Sequence, residues 1–415
     1  MLVKTILNKL YKFKSFIYGN IKWNKFNNEI EVDILPRQNS KPICSCCGKP
    51  ASIHQTEKTP RRFQFVPIWS MTVFFLYHMR RVECKTCGVK IEHIPWADGK
   101  HRSTTAFRCF LANWARSLSW SEVAQRFRTT WPNVFHSVEY VVVWGLAHRD
   151  LTGIVSLGID EVSWRIGHSY LTLVYQLDSG CKRLLWIGKN RSVRTLLGFF
   201  CWLGKERSGL IKYVCSDMWK PYLKVIKKKA VNAINILDRF HIMQKINKAI
   251  DEVRAEEHRQ LQKDGHDTLK NARWCLLKRK ENLTEKQEVR LRDLLRYNLK
   301  SVRSHLLRED FQGFWEYVSP AWALKYLTRW IGRVMRSRIE PMKKVARTLS
   351  RHQDLILNWF KVKGSISTGM VEGFNNKVKV TTRKAYGYRT FRCIEIQLYH
   401  VLGELPAPEL THRFC

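Results

Sequence analysis

The sequence predicts a mixed α/β fold. An α/β core is split by an all-α insertion and preceded by a small cysteine-bearing β module and a helical region. Three observations predict this. Between residues 151 and 254, β-branched and aromatic runs come first, and then alternate with helical patterns. Between residues 255 and 363 the chain is rich in Leu, Trp, Arg and Lys, with turn signals mainly at Lys263-Asp264-Gly265-His266 and Ser319-Pro320. Upstream stand two C-x-x-C pairs, followed by a stretch with helical periodicity.

A chain of 415 residues suits two or three domains, and 45% apolar residues with 16 Trp allow a sizeable core. Lys and Arg number 73 against 35 Asp and Glu, a formal charge of +38. Such a charge opposes compaction unless a polyanion offsets it, so nucleic acid is the first partner to consider. A merely basic, ribosome-like surface is the alternative. Met1–Tyr18 lacks an apolar signal segment, and the apolar run Val66–Tyr77 is too short to span a bilayer. A reducing, cytoplasmic setting is expected, in which the 12 Cys favour thiolate–metal ligation over disulfides.

Taken in order, residues 1–40 are basic and aromatic without a clear period, and read as an arm or a short strand pair. Residues 41–100 carry Cys44, Cys47, Cys84 and Cys87 as C-x2-C…C-x2-C, with 36 residues between the pairs. Two tight turns each present two sulfurs, and four thiolates complete the tetrahedron of a structural zinc ion. Thr72–Tyr77 and Arg80–Glu83 look like strands of a small sheet on this clasp, and Cys46 is spare. Buried free thiols are the plainer reading.

Residues 101–150 read as three helices. Phe107, Phe110, Leu111, Trp114 and Leu118 form the inner face of the first. Ser119 or Ser121 caps the second, and Trp131-Pro132 opens the third with Val134, Val138, Val141 and Val142 inside. A short helix, a turn and a longer helix suit a helix-turn-helix that lays its last helix in a DNA groove. Arg126 and Arg128 are its candidate DNA contacts. An ordinary three-helix packing unit is the alternative.

In residues 151–254, an apolar strand ends at Asp160, Arg165–His168 turns, and Tyr170–Leu177 returns. Arg183–Ile187 makes a third strand. A helix over Ser192–Trp202, a strand Ile211–Cys215 ending at Asp217, a helix Met218–Lys227, a strand Ala233–Leu237 ending at Asp238, and a long helix from His241 follow. Three antiparallel strands and then alternating helix and strand is the order of an RNase H-like core. After the insertion of residues 255–363, residues 364–403 return to a distinctive pattern, with Ser367-Thr368 as N-cap signal and a helix over Gly369–Val380. Residues 404–415 read as a frayed tail.

Asp160 and Asp217 close neighbouring strands, so their carboxylates are expected a few Å apart. Like charges that close need a divalent cation between them. Glu372 is the one acid among eight Lys/Arg between Lys361 and Arg392, and would complete the site from a packed helix. Oxygen-only ligands favour Mg²⁺ or Mn²⁺. Two such ions about 4 Å apart ionise an attacking water or 3′-hydroxyl and stabilise the leaving oxygen. Lys377, Lys379, Arg383 and Lys384 would hold the phosphate backbone. The duller readings are an N-cap for Asp217 and an ion-pair partner for Glu372. Glu161 should face away from Asp160. Asp238 and His241, three apart at a strand-to-helix step, either brace a helix or position DNA.

With these residues in place, the chain resembles bacterial insertion-sequence transposases of the ISL-three family. The matching pieces are GIDE at Gly158–Glu161, SDMWKPY at Ser216–Tyr222, DRFH at Asp238–His241, EGFNNKVK at Glu372–Lys379 and KAYGYR at Lys384–Arg389. The resemblance spans roughly Cys44 to Arg392. It implies a DDE triad of Asp160, Asp217 and Glu372 in an RNase H-like fold, with Asp238 and His241 auxiliary. It implies binding of inverted-repeat ends and target DNA, metal-dependent strand cleavage and strand transfer. A homodimer or larger assembly would pair the ends of a nucleoid-associated element. A non-catalytic DNA-binding repressor and an RNase H-like nuclease are the rival functions.

Overall fold

A computed structural model describes residues 3–98, 101–165, 167, 169–362 and 369–408. Within it the chain forms two compact units, Met1–Asp150 with Thr381–Cys415, and Leu151–Val380. The predicted Ser367-Thr368 cap, Ile166 and His168 of the predicted turn, and residues 409–415 of the predicted tail lie outside the described residues. Among the described residues no helix is long and apolar enough to cross a membrane.

The first unit opens with α1 (Val3–Leu10), β1 (Phe16–Asn24) and β2 (Glu29–Pro36), followed by β3 (Ser52–Thr56), β4 (Arg61–Ile68), β5 (Met71–Tyr77), β6 (Arg80–Cys84) and β7 (Gly88–Ile91). One sheet has the order β1-β2-β5-β4 and a second the order β3-β6-β7. Residues 3–40 therefore form a short helix and a strand pair built into a sheet, where the sequence predicts an arm or a strand pair. Phe16, Tyr18, Ile30, Val32 and Ile34 are buried with Phe63, Phe75 and Tyr77 around the fully buried Trp96. A register shift between Tyr18 and Ile21 breaks the alternation of β1, which hides its period from the sequence. The loop between the cysteine pairs also departs from expectation, because it feeds both sheets: β5 belongs to the larger one, and only β3, β6 and β7 frame the cysteines.

Three helices follow, α2 (Thr105–Ser117), α3 (Trp120–Arg126) and α4 (Trp131–His148). Thr104, Ser119 and Thr130 cap them, Ser119 in a reciprocal capping box with Glu122. Val134, Val138, Val141 and Val142 are buried along α4 as predicted. Trp114, predicted to face inward, is instead 40% exposed and packs its ring against Phe127 on the flank.

The second unit begins with β8 (Ser156–Arg165), β9 (Ser169–Asp178), β10 (Cys181–Lys189), α5 (Val193–Leu203), α6 (Lys205–Leu210), β11 (Tyr213–Ser216), α7 (Lys220–Lys229), β12 (Ile234–Leu237) and α8 (Arg239–Lys263). Its sheet has the order β10-β9-β8-β11-β12, antiparallel among the first three strands and parallel from β8 through β12. Leu157, Ile159, Val174 and Val214 pack on Leu196 and Phe199 of α5 and Tyr222 and Ile226 of α7. The helical block comprises α9 (Arg273–Leu277), α10 (Glu285–Leu294), α11 (Lys300–Gln312), α12 (Pro320–Arg336), α13 (Glu340–Arg351) and α14 (Gln353–Lys361). With α8 it buries its own core, centred on Phe311, Phe314, Trp330 and Met342.

α15 (Gly369–Lys384) then begins in the second unit, and its residues from Thr381 on belong to the first. α16 (Phe391–Leu402) packs along α4, where Arg392 pairs with Glu139 at 2.9 Å. Beyond it, Leu405 lies against Gly145 so closely that an added Cβ would fall 2.7 Å from the leucine.

Candidate active site

β8 does not end at Asp160, as its sequence suggested, but runs five residues further to Arg165. No breaker intervenes, and β9 pairs with this extension, with a register shift between Ser163 and Arg165. β11 is what ends there: Ser216 pairs with Ile159, so Asp217 leaves the sheet level with Asp160. Asp217 is half-buried and accepts from the Met218 N–H at 2.5 Å. The N-cap of α7 is Trp219, so Asp217 has no capping role.

α15 lies on this face of the sheet. Gly158 leaves room for Val371, whose Cγ2 would be 2.8 Å from an added Cβ. Tyr175, opposite Gly158 on β9, stacks on Phe374 at 4.7 Å and donates to Asn375 Oδ1 at 3.0 Å. Asn375 in turn donates through Nδ2 to Asp160 Oδ2. Glu372 sits one turn before Asn375, with Lys379 Nζ 3.9 Å from its carboxylate. Burial is the main cause that raises the pKa of Asp238, and the charges of Asp160 and Glu372 add to it.

Asp238 caps α8 by accepting from the Phe240 N–H at 2.9 Å. His241 Nε2 lies 3.4 Å from Asp160 Oδ2 and 4.0 Å from Asp238 Oδ2. Burial alone would push this imidazole down. The hydrogen bond to and charge of Asp160, with Asp217 and Asp238 behind, outweigh it and hold the pKa at about 9. Burial pushes Asp238 up to about 6, against the pull of the Phe240 N–H. On the opposite face Glu161 lies 3.1 Å from Arg191, and Arg191 covers the Trp219 ring at 4.4 Å. Burial raises Glu161 to about 7, and the charges of Asp160 and Asp217 add to it despite Arg191.

Asp160 on β8, Asp217 just beyond β11 and Asp238 just beyond β12 thus share one region, with His241 as close cation and Glu372 on the helix above, while Glu161 pairs with Arg191 on the opposite face. Burial is the main cause that raises Asp238 and Glu161, and all these donors are oxygens. The set fits a hard divalent cation such as Mg²⁺ or Mn²⁺. Among the described residues, however, Asp160, Asp217 and Glu372 do not gather within 4.8 Å of one another.

The cysteines do gather. Cys44, Cys47, Cys84 and Cys87 have all their sulfurs within 4.8 Å, with Cys47 Sγ and Cys84 Sγ 3.5 Å apart. A tetrahedral site with Zn–S bonds of about 2.3 Å has edges near this length, so the cluster is compatible with structural zinc. Each C-x-x-C is followed by a glycine in the left-handed region, Gly48 at φ 71° and Gly88 at φ 69°. Backbone N–H groups of Thr86 and Cys87 pull the Cys84 thiol down to about 6, which favours the thiolate a metal needs. Cys46 is exposed beside the cluster. Next to it, Glu92 is buried and paired with Arg80 through two hydrogen bonds, while Tyr77 donates to the same carboxylate at 2.6 Å.

Of the candidate DNA contacts, Arg126 and Arg128 are exposed at the end of α3 and just beyond it, Arg128 donating to the Asn27 carbonyl. Lys377, Lys379 and Arg383 are exposed along α15, whereas Lys384 is half-buried and bonded to the Ser117 carbonyl. Sequence reasoning missed Asn375, Tyr175 and Arg191. Asn375 had a signal, since it follows Glu372 by three residues and so shares its helix face. Tyr175 and Arg191 had none, because strand register and loop path place them.

The family model for ISL3-type DDE transposases, described as a transposase, matches residues 157–398. Over 394 residues the chain is 29% identical to the transposase for insertion sequence element IS1001 of Bordetella parapertussis, covering 94% of this chain and 96% of that one. Over 410 residues it is 28% identical to the transposase for insertion sequence element IS1557 of Mycobacterium tuberculosis, covering 92% of this chain and 90% of the relative.

Proposed function

Since this chain belongs to the ISL3 family of DDE transposases, we propose that it binds the terminal inverted repeats of an insertion sequence, cleaves DNA there and joins the freed strands to a target. Its second unit is read as an RNase H-like core, and the strand order β10-β9-β8-β11-β12 supports that reading. Asp160, Asp217 and Glu372 are the proposed triad and would hold Mg²⁺ or Mn²⁺. When bound, such ions supply Lewis acidity at the transferring phosphate and lower the pKa of the attacking hydroxyl. The observation that carries the proposal is the docking of α15 on β8, which joins Glu372's helix to Asp160 through Asn375.

The chain's own residues have defined parts in this reading. Asn375 and His241 fix the orientation of the Asp160 carboxylate, and Tyr175 fixes Asn375. His241 carries a proton at Nε2 between Asp160 and Asp238 and offsets part of their charge. Lys377 and Lys379, one and two turns beyond Glu372, offer ammonium groups to the phosphate backbone. The zinc module and α2–α4, read as a helix-turn-helix, would recognise the ends, and paired ends call for a dimer or larger assembly.

The test is cleavage of a labelled fragment carrying the DNA that flanks this gene, with and without Mg²⁺. Replacing Asp160, Asp217 or Glu372 by Ala is expected to abolish cleavage and leave binding of the same fragment nearly intact. Full activity in Asp217→Ala would overturn the assignment, and binding without any cutting by the unaltered protein would favour a repressor.

A further inference from the structure

A second concave site opens beside the acids, with no part in holding the triad. It is a cleft of about 220 Å³ between the first two turns of α8, the end of α9 and α11. Arg239, Phe240, Met243, Gln244, Arg279 and Gln312 are the lining groups that matter here. The volume falls below the 300–1,000 Å³ of pockets for drug-sized ligands, so it suits one ring system and not a length of duplex. Its chemistry divides into three parts. Arg239 and Arg279 both line the cleft; burial and then the charge of Arg279 disfavour the Arg239 cation, with Glu316 opposing them, and an anion between two such cations relieves their repulsion. Phe240 is 42% exposed, an unusual state for a phenylalanine flanked by two site residues. Gln244 is exposed and presents an amide donor and acceptor, while Gln312 ends its own helix with Nε2 donating to Glu309 Oε1 at 2.9 Å, so that Gln312 offers chiefly its amide oxygen at the rim.

The position is as telling as the composition. Phe240 lies between Asp238 and His241 in the chain, its ring 5.7 Å from the imidazole. Asp238 holds the Phe240 backbone N–H. Whatever enters the cleft is therefore adjacent to whatever occupies the acidic site.

We propose that this cleft receives one unpaired nucleotide of the DNA next to the cut, with its phosphate between Arg239 and Arg279, its base against Phe240 and Met243, and its base edge at the two glutamines. The proposal rests on the transposase reading of the acidic site. Aromatic stacking tolerates any base, whereas the amides prefer some edges over others. The cleft thus adds a sequence preference at a single position beside the cut, and it holds the strand end while the bond is broken.

The experiment places 5-iodo-2′-deoxyuridine at each position around the cut in the labelled flanking fragment, irradiates the complex with the full-length protein, and maps the joined peptide. One position is expected to cross-link to Phe240 or Met243. Phe240→Ala is expected to lose that product and to cut roughly tenfold or more slowly, in line with the stacking removed. An abasic residue at the same position should slow the unaltered protein equally and add nothing further to Phe240→Ala. Arg279→Gln, at an exposed residue, should weaken the cross-link without lowering the melting temperature. If the unaltered protein cuts the fragment while every cross-link maps outside Arg239–Asn247 and Phe240→Ala cuts normally, the cleft proposal is wrong and the transposase reading stands. If the unaltered protein neither cuts nor binds the fragment, both fail.

Discussion

Replacing Gly158 by Ala tests whether the seating of α15 on β8 assembles the site. The new methyl would lie 2.8 Å from Val371 Cγ2 and 3.0 Å from Leu177 Cδ1, closer than carbons pack. Overpacking of this kind costs about 1–3 kcal/mol. The lost flexibility of the unfolded chain returns about 0.4–1 kcal/mol. The net is a loss of roughly 1–2 kcal/mol, or about 5- to 30-fold in the ratio of folded to unfolded protein. Urea unfolding reads that number directly. Cleavage of the labelled fragment should fall by more than the small unfolded fraction explains, because a displaced Val371 carries Glu372 and Asn375 with it on the same helix. Val371→Ala removes the clashing methyl, so the double variant should recover, with a coupling of about 1 kcal/mol or more. An unchanged midpoint and unchanged cleavage in Gly158→Ala, or penalties that merely add in the double variant, would refute the reasoning.

Other consequences can be measured separately. Purified protein should contain one zinc ion per chain, held by Cys44, Cys47, Cys84 and Cys87; metal analysis giving less than half an ion per chain would sink that assignment. Glu92→Ala strands the buried Arg80 guanidinium, and should cost about 3–5 kcal/mol in unfolding experiments; a loss under about 1 kcal/mol would mean the pair behaves as an exposed one. Joint substitution of Arg126 and Arg128 by Ala should weaken DNA binding and flatten its salt dependence, by about 0.9 in log–log slope for each phosphate no longer neutralised. Unchanged affinity and slope would remove those two residues from the interface.

The order of strands and helices in the second unit was legible because its punctuation is strong. Asp178-Ser179-Gly180 turns the chain, Ser192 caps α5, and Pro221 sits in the first turn of α7. Asp217 could be placed at a strand end because β11 is short and a helix start follows it. Asp160 was misplaced within its strand, since the end of a strand is set by its partners: β11 stops at Ser216 while β9 continues. The first forty residues were opaque for a related reason: Phe16 and Tyr18 are buried before the irregular register, while Trp23 and Phe26 beyond it are exposed. The cysteine spacing showed which four sulfurs meet, but not that the strands between them serve two sheets. Side-chain partners such as Tyr175 and Arg191 follow from register and loop path, which leave no local mark.

The first unit draws on both ends of the chain. α4 is laid down before the second unit is translated, and its neighbour α16 follows that unit in sequence. A ribosome therefore delivers the two halves of one packing surface at well-separated times. A polypeptide that stalls in between carries α4 without the Arg392–Glu139 tie and without Leu405 over Gly145. Such a fragment leaves uncovered the face of α4 that α16 packs against in the whole chain.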